Sequence, residues 1–277
     1  MLNPVSRRSS LAALALAALA LAALGASTAA AQPSRTLTQK LDSLAGSGVL
    51  ENRAAGIVTA VVKGNDTLLF KGYGKADVEW DVPMPADAMF EIGSVTKQFT
   101  AAAVMQLVEA GKITLDDDIT KYVPNTPVHG RRVTIRHLLN HTSGIPSYTD
   151  VGNRFGRVMR LDLARDSLVA MVANDSLMFE PGRYFYYNNT GYYLLGMLIE
   201  KVSGKTYAEF LQERLFAPLG MTSTSYCSPK AIVKHRAQGY DVRGGQLLNT
   251  DYVSMELPYA AGSLCSSVRD LVKWTAA

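Results

Sequence analysis

The stretch FEIGSVTKQFTAAAVMQLVEAGK, residues 90–112, places one serine and one lysine at the start of a run that is otherwise almost entirely apolar. Residues three apart on a helix share a face, so the side chains of Ser94 and Lys97 can touch. The run that follows is apolar all round, which is typical of a buried helix. Gly111 is predicted to end it, because glycine suits the left-handed position after a helix.

Lys97 is predicted to have a lowered pKa. Burial disfavours the charged ammonium, and so does the positive end of the helix dipole. A neutral lysine beside a serine is a general base beside a nucleophile, and the same helix end offers the backbone N–H of Ser94 to a developing oxyanion. The alternative is a lysine that reaches solvent from a buried helix, since a Ser-x-x-Lys match is expected about once by chance in such a chain.

A second group of reactive side chains stands in FEPGRYFYYNNTGYYLLG, residues 179–196. Tyr187 and Asn189 form a Tyr-x-Asn pattern just before a predicted helix. A phenol can relay a proton, and an amide offers both a donor and an acceptor. Tyr186 and Asn188 fit the same pattern, so spacing leaves the register open. The alternative is that the aromatic rings belong to the core and Asn189 only caps the helix.

Secondary-structure signals frame these groups. Residues 56–75 are predicted to form a β-hairpin that turns at Gly64-Asn65-Asp66. The apolar residues after Tyr-x-Asn recur at helical spacing, with Asn189 or Thr190 predicted as the N-cap and Gly204 as the stop. A hairpin alone is marginally stable in water, so the sheet is expected to need further strands.

The first 31 residues are predicted to be a secretory signal peptide. Arg7 and Arg8 precede an Ala/Leu run, and small residues follow before Gln32. The apolar run is shorter than the roughly 20 residues that a spanning helix needs. We therefore expect a periplasmic or secreted protein with residues 32–277 as one domain and no membrane anchor after cleavage. The spacing does not distinguish general from twin-arginine export.

Charge and metal-ligand spacing exclude several other classes. Without residues 1–31 the basic count falls from 28 to 26, against 24 acidic residues, so no nucleic-acid partner is expected. His137 and His141 could ligate zinc, but no glutamate lies between them and no third ligand is evident, which favours a structural role. No metal or cofactor is predicted.

Cys227 and Cys265 could form a disulfide in an oxidising compartment, but the sequence does not show that they are adjacent.

Four segments together carry a resemblance to a known family. They are FEIGSVTKQFTAAAVMQLVEAGKITLDDDITKYVP, VTIRHLLNHTSGIPSY, PGRYFYYNNTGYYLLGMLIEKVSGKTYAEF and AAGSLCSSVRDLVKW. In this order they resemble the class C β-lactamase-related serine hydrolases, which include D-alanyl-D-alanine carboxypeptidases, family VIII esterases and class C β-lactamases. The likeness runs from about residue 37 to the end of the chain, and four ordered segments are far more specific than one.

The resemblance implies a fold and a set of roles. The fold would be α/β of the α+β type, β-lactamase/transpeptidase-like, with an antiparallel sheet flanked by helices and a mostly helical lobe. Ser94 would be the nucleophile, Lys97 its base and Tyr187 a proton relay, while Asn189 would bind the substrate amide. The family pattern selects Tyr187 over Tyr186, because the threonine and tyrosine that follow stand at the family's offsets. Substrates would be β-lactams, D-Ala-D-Ala peptides or small esters.

One family motif is absent from the sequence. The family carries Lys-Thr-Gly or His-x-Gly on a later strand, which supplies a second oxyanion donor, and neither occurs here. We therefore expect residues 32–277 to lack the later sheet strands, and the hairpin to have an open edge that promotes association. A rival hypothesis follows, in which the protein binds penicillin or peptidoglycan peptides without efficient turnover. The oligomeric state is not specified by the sequence.

Overall fold

The structure, a computed structural model, describes residues 35–51, 53–228 and 230–277. The predicted signal peptide, residues 1–31, lies outside these ranges. The chain divides into two units, Met1–Leu41 and Asp42–Ala277, and the second contains all the strands and every residue of the site described below. Within the described ranges, no helix has the length and apolar character needed to cross a bilayer.

Helices and short strands alternate along the chain. The α-helices are α1 Arg35–Leu50, α2 Thr96–Glu109, α3 Ile135–Leu139, α4 Asn153–Gly156, α5 Arg165–Ala170, α6 Asn189–Ser203, α7 Tyr207–Leu211 and α8 Val268–Ala276. The strands are β1 Gly56–Lys63, β2 Asp66–Asp77, β3 Val82–Pro83, β4 Met89–Glu91, β5 Ser225–Tyr226, β6 Tyr240–Arg243, β7 Gln246–Asn249 and β8 Leu264–Ser267. This mixture of helices and antiparallel strands confirms the predicted fold class.

Helix α2 contributes one face to the hydrophobic core. Phe99, Ala103 and Leu107 lie on its buried face, which packs against α6. The prediction that the helix is buried all round is wrong, because Met105 is 39% exposed and shares the outer face with polar residues. Gly111 has a positive φ of 66° just beyond the helix, which fits the predicted end.

Helix α6 begins one residue earlier than predicted. Asn188, not Asn189 or Thr190, is the N-cap, because its backbone is extended and its side-chain oxygen accepts the N–H of Gly191 at 2.7 Å. The helix ends at Gly204 as predicted, where φ is 72°. Asn189 is therefore the first helical residue, and its side chain is released from capping.

The strands form three small antiparallel sheets. The predicted hairpin is confirmed as β1 and β2, with β3 on the far side of β2. Every residue of β1 is half-buried or exposed, and the cluster under the hairpin is limited to Ala76, Met84, Ala88 and their partly buried neighbours. Helix α8 packs against β1, and the Arg269 guanidinium lies 4.5 Å from the ring centroid of Phe70.

Strand β8, which was not predicted, connects the second sheet, formed by β4, β8 and β5, to the start of α2 through hydrogen bonds. It lies between β4 and β5. The carbonyl of Leu264 accepts the N–H of Ile92 at 2.9 Å, and the N–H of Leu264 donates to the Thr96 hydroxyl at 3.2 Å. These bonds fix residues 259–263 beside the start of α2.

A disulfide links Cys227 to Cys265, whose Cα atoms are 5.1 Å apart. Cys265 lies in β8, and Cys227 directly follows β5. Both side chains are buried. The bond therefore fastens the second sheet next to the start of α2, a pairing that the sequence left open.

We expect reduction of this disulfide to destabilise the fold. The bond closes a loop with a sequence separation of 38. Chain entropy then gives an upper contribution of about 4 kcal/mol to the free energy of unfolding. Urea unfolding of the oxidised chain, the reduced chain and the Cys227→Ala/Cys265→Ala variant measures it. The chain has two cysteines, so a reductant acts only here. Equal midpoints in all three samples would contradict the expected contribution.

Candidate active site

Ser94 lies on an exposed turn that connects β4 to α2. The turn is a 3-10 segment, Gly93–Val95, so Ser94 precedes the α-helix rather than belonging to it. Its Oγ accepts the Tyr187 hydroxyl at 2.6 Å and lies 3.3 Å from Lys97 Nζ. The structure thus brings together three of the side chains predicted from two separate motifs.

Lys97 lies one turn into the helical segment and is buried. Its Nζ is 2.7 Å from the carbonyl oxygen of Ala261 and 2.8 Å from Oδ1 of Asn189, in addition to the Ser94 contact. All three partners are neutral. The amine is therefore saturated with polar contacts without a carboxylate to hold it in the charged form.

Burial lowers the pKa of Lys97, and the neighbouring Tyr187 phenol opposes this effect in part. Nζ also lies 4.7 Å from the Tyr187 ring centroid and 5.6 Å from that of Tyr192, positions that favour a cation. The downward direction agrees with the sequence prediction. It results from desolvation in a site that has no acidic partner for Lys97.

The structure separates the two Tyr-x-Asn registers. Tyr187 reaches Ser94, whereas the Tyr186 hydroxyl donates to Asp150 at 2.6 Å, which raises the pKa of Tyr186. Asn189 contacts Lys97, whereas Asn188 caps α6. Tyr187 and Asn189 are thus the pair that lies beside Ser94.

The amide of Asn189 is held in one orientation. Its oxygen accepts from Lys97, so its nitrogen points the other way and donates to Thr149 Oγ1 at 3.0 Å. The Thr149 hydroxyl in turn lies 2.8 Å from Ser147 Oγ, which accepts the N–H of Asn189 at 3.3 Å. These polar contacts extend from Lys97 to the loop after α3.

Sequence reasoning missed Thr149, Ser147 and the carbonyl of Ala261. The first two stand in SGIPSYTD, residues 143–150, where small polar residues directly after a proline were the available signal. A backbone carbonyl carries no residue-type signal, so the Ala261 contact could not be read from the sequence.

A cavity of about 330 Å³ opens beside Ser94. Its polar wall includes Ser94, Thr149 and Asn189, and its apolar wall includes Phe155 and Met255. A second cavity of about 550 Å³ adjoins it, since Met255 lines both. Of the reactive side chains, Ser94 and Asn189 line the smaller cavity, whose walls are partly polar and partly apolar.

Neither histidine of the predicted zinc spacing is arranged with other ligands. Nδ1 of His137 accepts the N–H of Thr134 at 3.3 Å, and Nδ1 of His141 accepts the N–H of Asn188 at 3.0 Å. In the part of the chain that the structure describes, no group of three or more His, Cys, Asp or Glu side chains could hold a metal ion.

Comparison with known proteins agrees with this geometry. A family model described as beta-lactamase matches residues 33–277. Penicillin-binding protein 4* of Bacillus subtilis (strain 168) is 38% identical over 185 residues, which cover 64% of this chain and 40% of that protein. The chain spans about half the length of the curated relatives it matches.

Two solved structures share the fold. The octameric penicillin-binding protein homologue from Pyrococcus abyssi is similar to this chain, with a TM-score of 0.73, 35% identity and coverage of 86% of this chain and 55% of that one. D-amino acid amidase from Ochrobactrum anthropi SV3, solved with L-phenylalanine amide, has a TM-score of 0.74, 30% identity and coverage of 86% and 69%. Because a family model matches residues 33–277, the chain belongs to the β-lactamase family.

Proposed function

We propose that this protein is an exported serine hydrolase that cleaves an ester or amide through an acyl-serine intermediate. The observation that carries the proposal is the pair of contacts on Ser94 Oγ, from Tyr187 at 2.6 Å and from the buried Lys97 at 3.3 Å. Export is proposed from the signal-like composition of residues 1–31.

Lys97 is proposed as the general base. A neutral amine has two N–H bonds and one lone pair. With the N–H bonds donated to Ala261 and Asn189, the lone pair faces Ser94 and accepts its hydroxyl proton. The lowered pKa of Lys97 supports this, because it raises the fraction of neutral amine near neutral pH.

Acylation then proceeds in three proton transfers. Ser94 Oγ attacks the substrate carbonyl as its proton passes to Lys97, and the Ser94 N–H donates to the oxyanion that forms. Tyr187, whose hydroxyl already contacts Ser94 Oγ, gives its proton to the leaving group and regains one from Lys97. Water releases the acyl group by the reverse sequence.

Substrate class is proposed from the cavity and the relatives. The side-chain amide of Asn189 has two N–H bonds, and one of them donates to Thr149 Oγ1. We propose that the other donates to the amide carbonyl of the substrate. One relative is named for penicillin binding, and one structural neighbour is a D-amino acid amidase. We propose a β-lactam, a D-Ala-D-Ala peptide or a small ester as the substrate.

Covalent labelling tests the nucleophile. We expect a fluorophosphonate or a fluorescent penicillin to label the chain at Ser94 and to leave Ser94→Ala unlabelled, with the adduct mapped by mass spectrometry. The exposed Ser176 supplies the matched control, and Ser176→Ala should label like wild type. Labelling that persists in Ser94→Ala would disprove the assignment. Penicillin binding without any adduct would favour the rival hypothesis of a binder without turnover.

The role of Lys97 is tested by its removal. Lys97→Met should lower kcat/KM for an ester by about 10²–10⁴-fold, the usual contribution of a general base. Lys112→Met is a matched control, because this exposed lysine follows the other end of α2. In wild type and in the control, kcat/KM should rise with pH as the Lys97 ammonium deprotonates, with a pKa below the ordinary 10.5. A Lys97→Met enzyme with the wild-type rate would exclude this base.

A further inference from the structure

His141 lies two residues after α3 and has a left-handed backbone, with φ at 60°. Residues other than glycine rarely adopt this conformation, although histidine and asparagine tolerate it better than most. The side chain is half-buried and takes no part in the chemistry proposed above.

His141 contacts three consecutive residues of the segment that carries Tyr187. Its carbonyl accepts the N–H of Tyr186 at 2.8 Å, and its Nδ1 accepts the N–H of Asn188 at 3.0 Å. Between these two bonds its ring packs on the Tyr187 ring, with centroids 4.7 Å apart and an interplanar angle of 33°. The left-handed backbone lets one residue present its carbonyl and its ring to the same segment.

The protonation of His141 suits these contacts. Because Nδ1 accepts a hydrogen bond, the ring proton belongs on Nε2. Burial lowers the pKa of His141 and favours this neutral form. The ring also packs on Tyr192, at 5.0 Å between centroids, so it is anchored to α6 as well.

Tyr187 needs such support. Its side chain is 43% exposed, and apart from Ser94 its described contacts are with the His141 ring and Lys97 Nζ. An exposed tyrosine is free to turn about its side-chain torsions, and a displacement of about 1 Å at a catalytic group can cost 10²-fold in rate. The ring contact with His141 therefore opposes rotation of the phenol away from Ser94, alongside the contacts with Ser94 and Lys97.

We propose that His141 is a positioning residue that holds the Tyr187 hydroxyl against Ser94 through two backbone hydrogen bonds and one ring contact. This inference rests on the proposed function, in which Tyr187 relays the proton. The described contacts of the His141 side chain include Tyr187 but not Ser94, so its proposed effect on rate passes through Tyr187.

A double-mutant cycle tests the proposal. His141→Gly keeps the left-handed backbone and removes the ring and the Nδ1 acceptor. It should lower kcat for ester hydrolysis roughly 10- to 100-fold with little change in KM. In a Tyr187→Phe background the same change should cost less than about threefold, because the hydroxyl that His141 positions is already absent. Comparable losses in both backgrounds, or no loss in either, would overturn the proposal.

Two further variants separate positioning from folding. His141→Asn keeps the backbone and an acceptor close to Nδ1 but removes the ring, so it should lie between wild type and His141→Gly. If His141→Gly does not fold, His141→Asn replaces it in the double-mutant cycle with Tyr187→Phe. His137→Asn is the matched control, since His137 is half-buried and accepts the backbone N–H of Thr134, the residue before α3. Its kcat should stay within about twofold of wild type, as judged on folded protein.

The same samples distinguish a failure of the proposed hydrolase function from a failure of the role proposed for His141. A wild-type chain that carries no fluorophosphonate adduct at Ser94 would show that the proposed function is wrong, and the inference would fail with it. A wild-type chain that is labelled at Ser94, with His141→Gly labelled at the same rate, would leave the function in place and overturn only the role of His141.

Discussion

The contacts of one buried nitrogen, Nζ of Lys97, constrain the whole arrangement. Its three partners come from separate parts of the chain: the turn before α2, the start of α6 and the segment before β8. A buried polar group left without a partner costs about 1–3 kcal/mol, so the amine favours only those packings that bring all three segments together. One turn further along α2, Thr100 donates to the carbonyl of Ala260 at 2.7 Å and contacts the hydroxyl of Tyr207 at 2.7 Å. Together these contacts make α2 the common scaffold of the core and of the site.

The segment that supplies the Ala261 carbonyl is held under local strain. Tyr259 is fully buried at φ 41°, a conformation that costs an aromatic residue of order 1–3 kcal/mol. Arg165 stacks 3.5 Å from its ring centroid. Gly196, in the middle of α6, permits the approach, because a Cβ there would lie 2.4 Å from the Tyr259 ring. Tight packing by distant residues thus fixes a carbonyl that carries no side-chain chemistry of its own.

Sequence patterns predict contacts between residues that are close in the sequence. They miss contacts between residues that are far apart in the sequence. Ser94 and Lys97 are three residues apart, so helical periodicity brings them together without any tertiary information. Tyr187 and Asn189 could be placed beside them only by resemblance, because spacing alone admits Tyr186 and Asn188 equally. Tertiary contacts decide the register: Tyr186 is engaged by Asp150, and Asn188 caps α6.

Strand β8 and the disulfide could not be predicted from the sequence for a related reason. Four residues with two serines do not form a strand by propensity, and β8 exists because β4 and β5 supply its hydrogen bonds on both sides. The same pairing brings Cys265 next to Cys227, a proximity that spacing cannot reveal. Thr149 belongs to this class as well, since its contact with Asn189 spans 40 residues.

The central claim is that Lys97 is a buried amine that readily loses its proton beside Ser94. NMR titration of ¹³C-labelled lysine side chains in residues 32–277 measures this most directly, because the Cε shift reports protonation. The account predicts one lysine that titrates clearly below the ordinary value of 10.5, and whose signal disappears in Lys97→Met. Titration of Lys97 together with the surface lysines would contradict it.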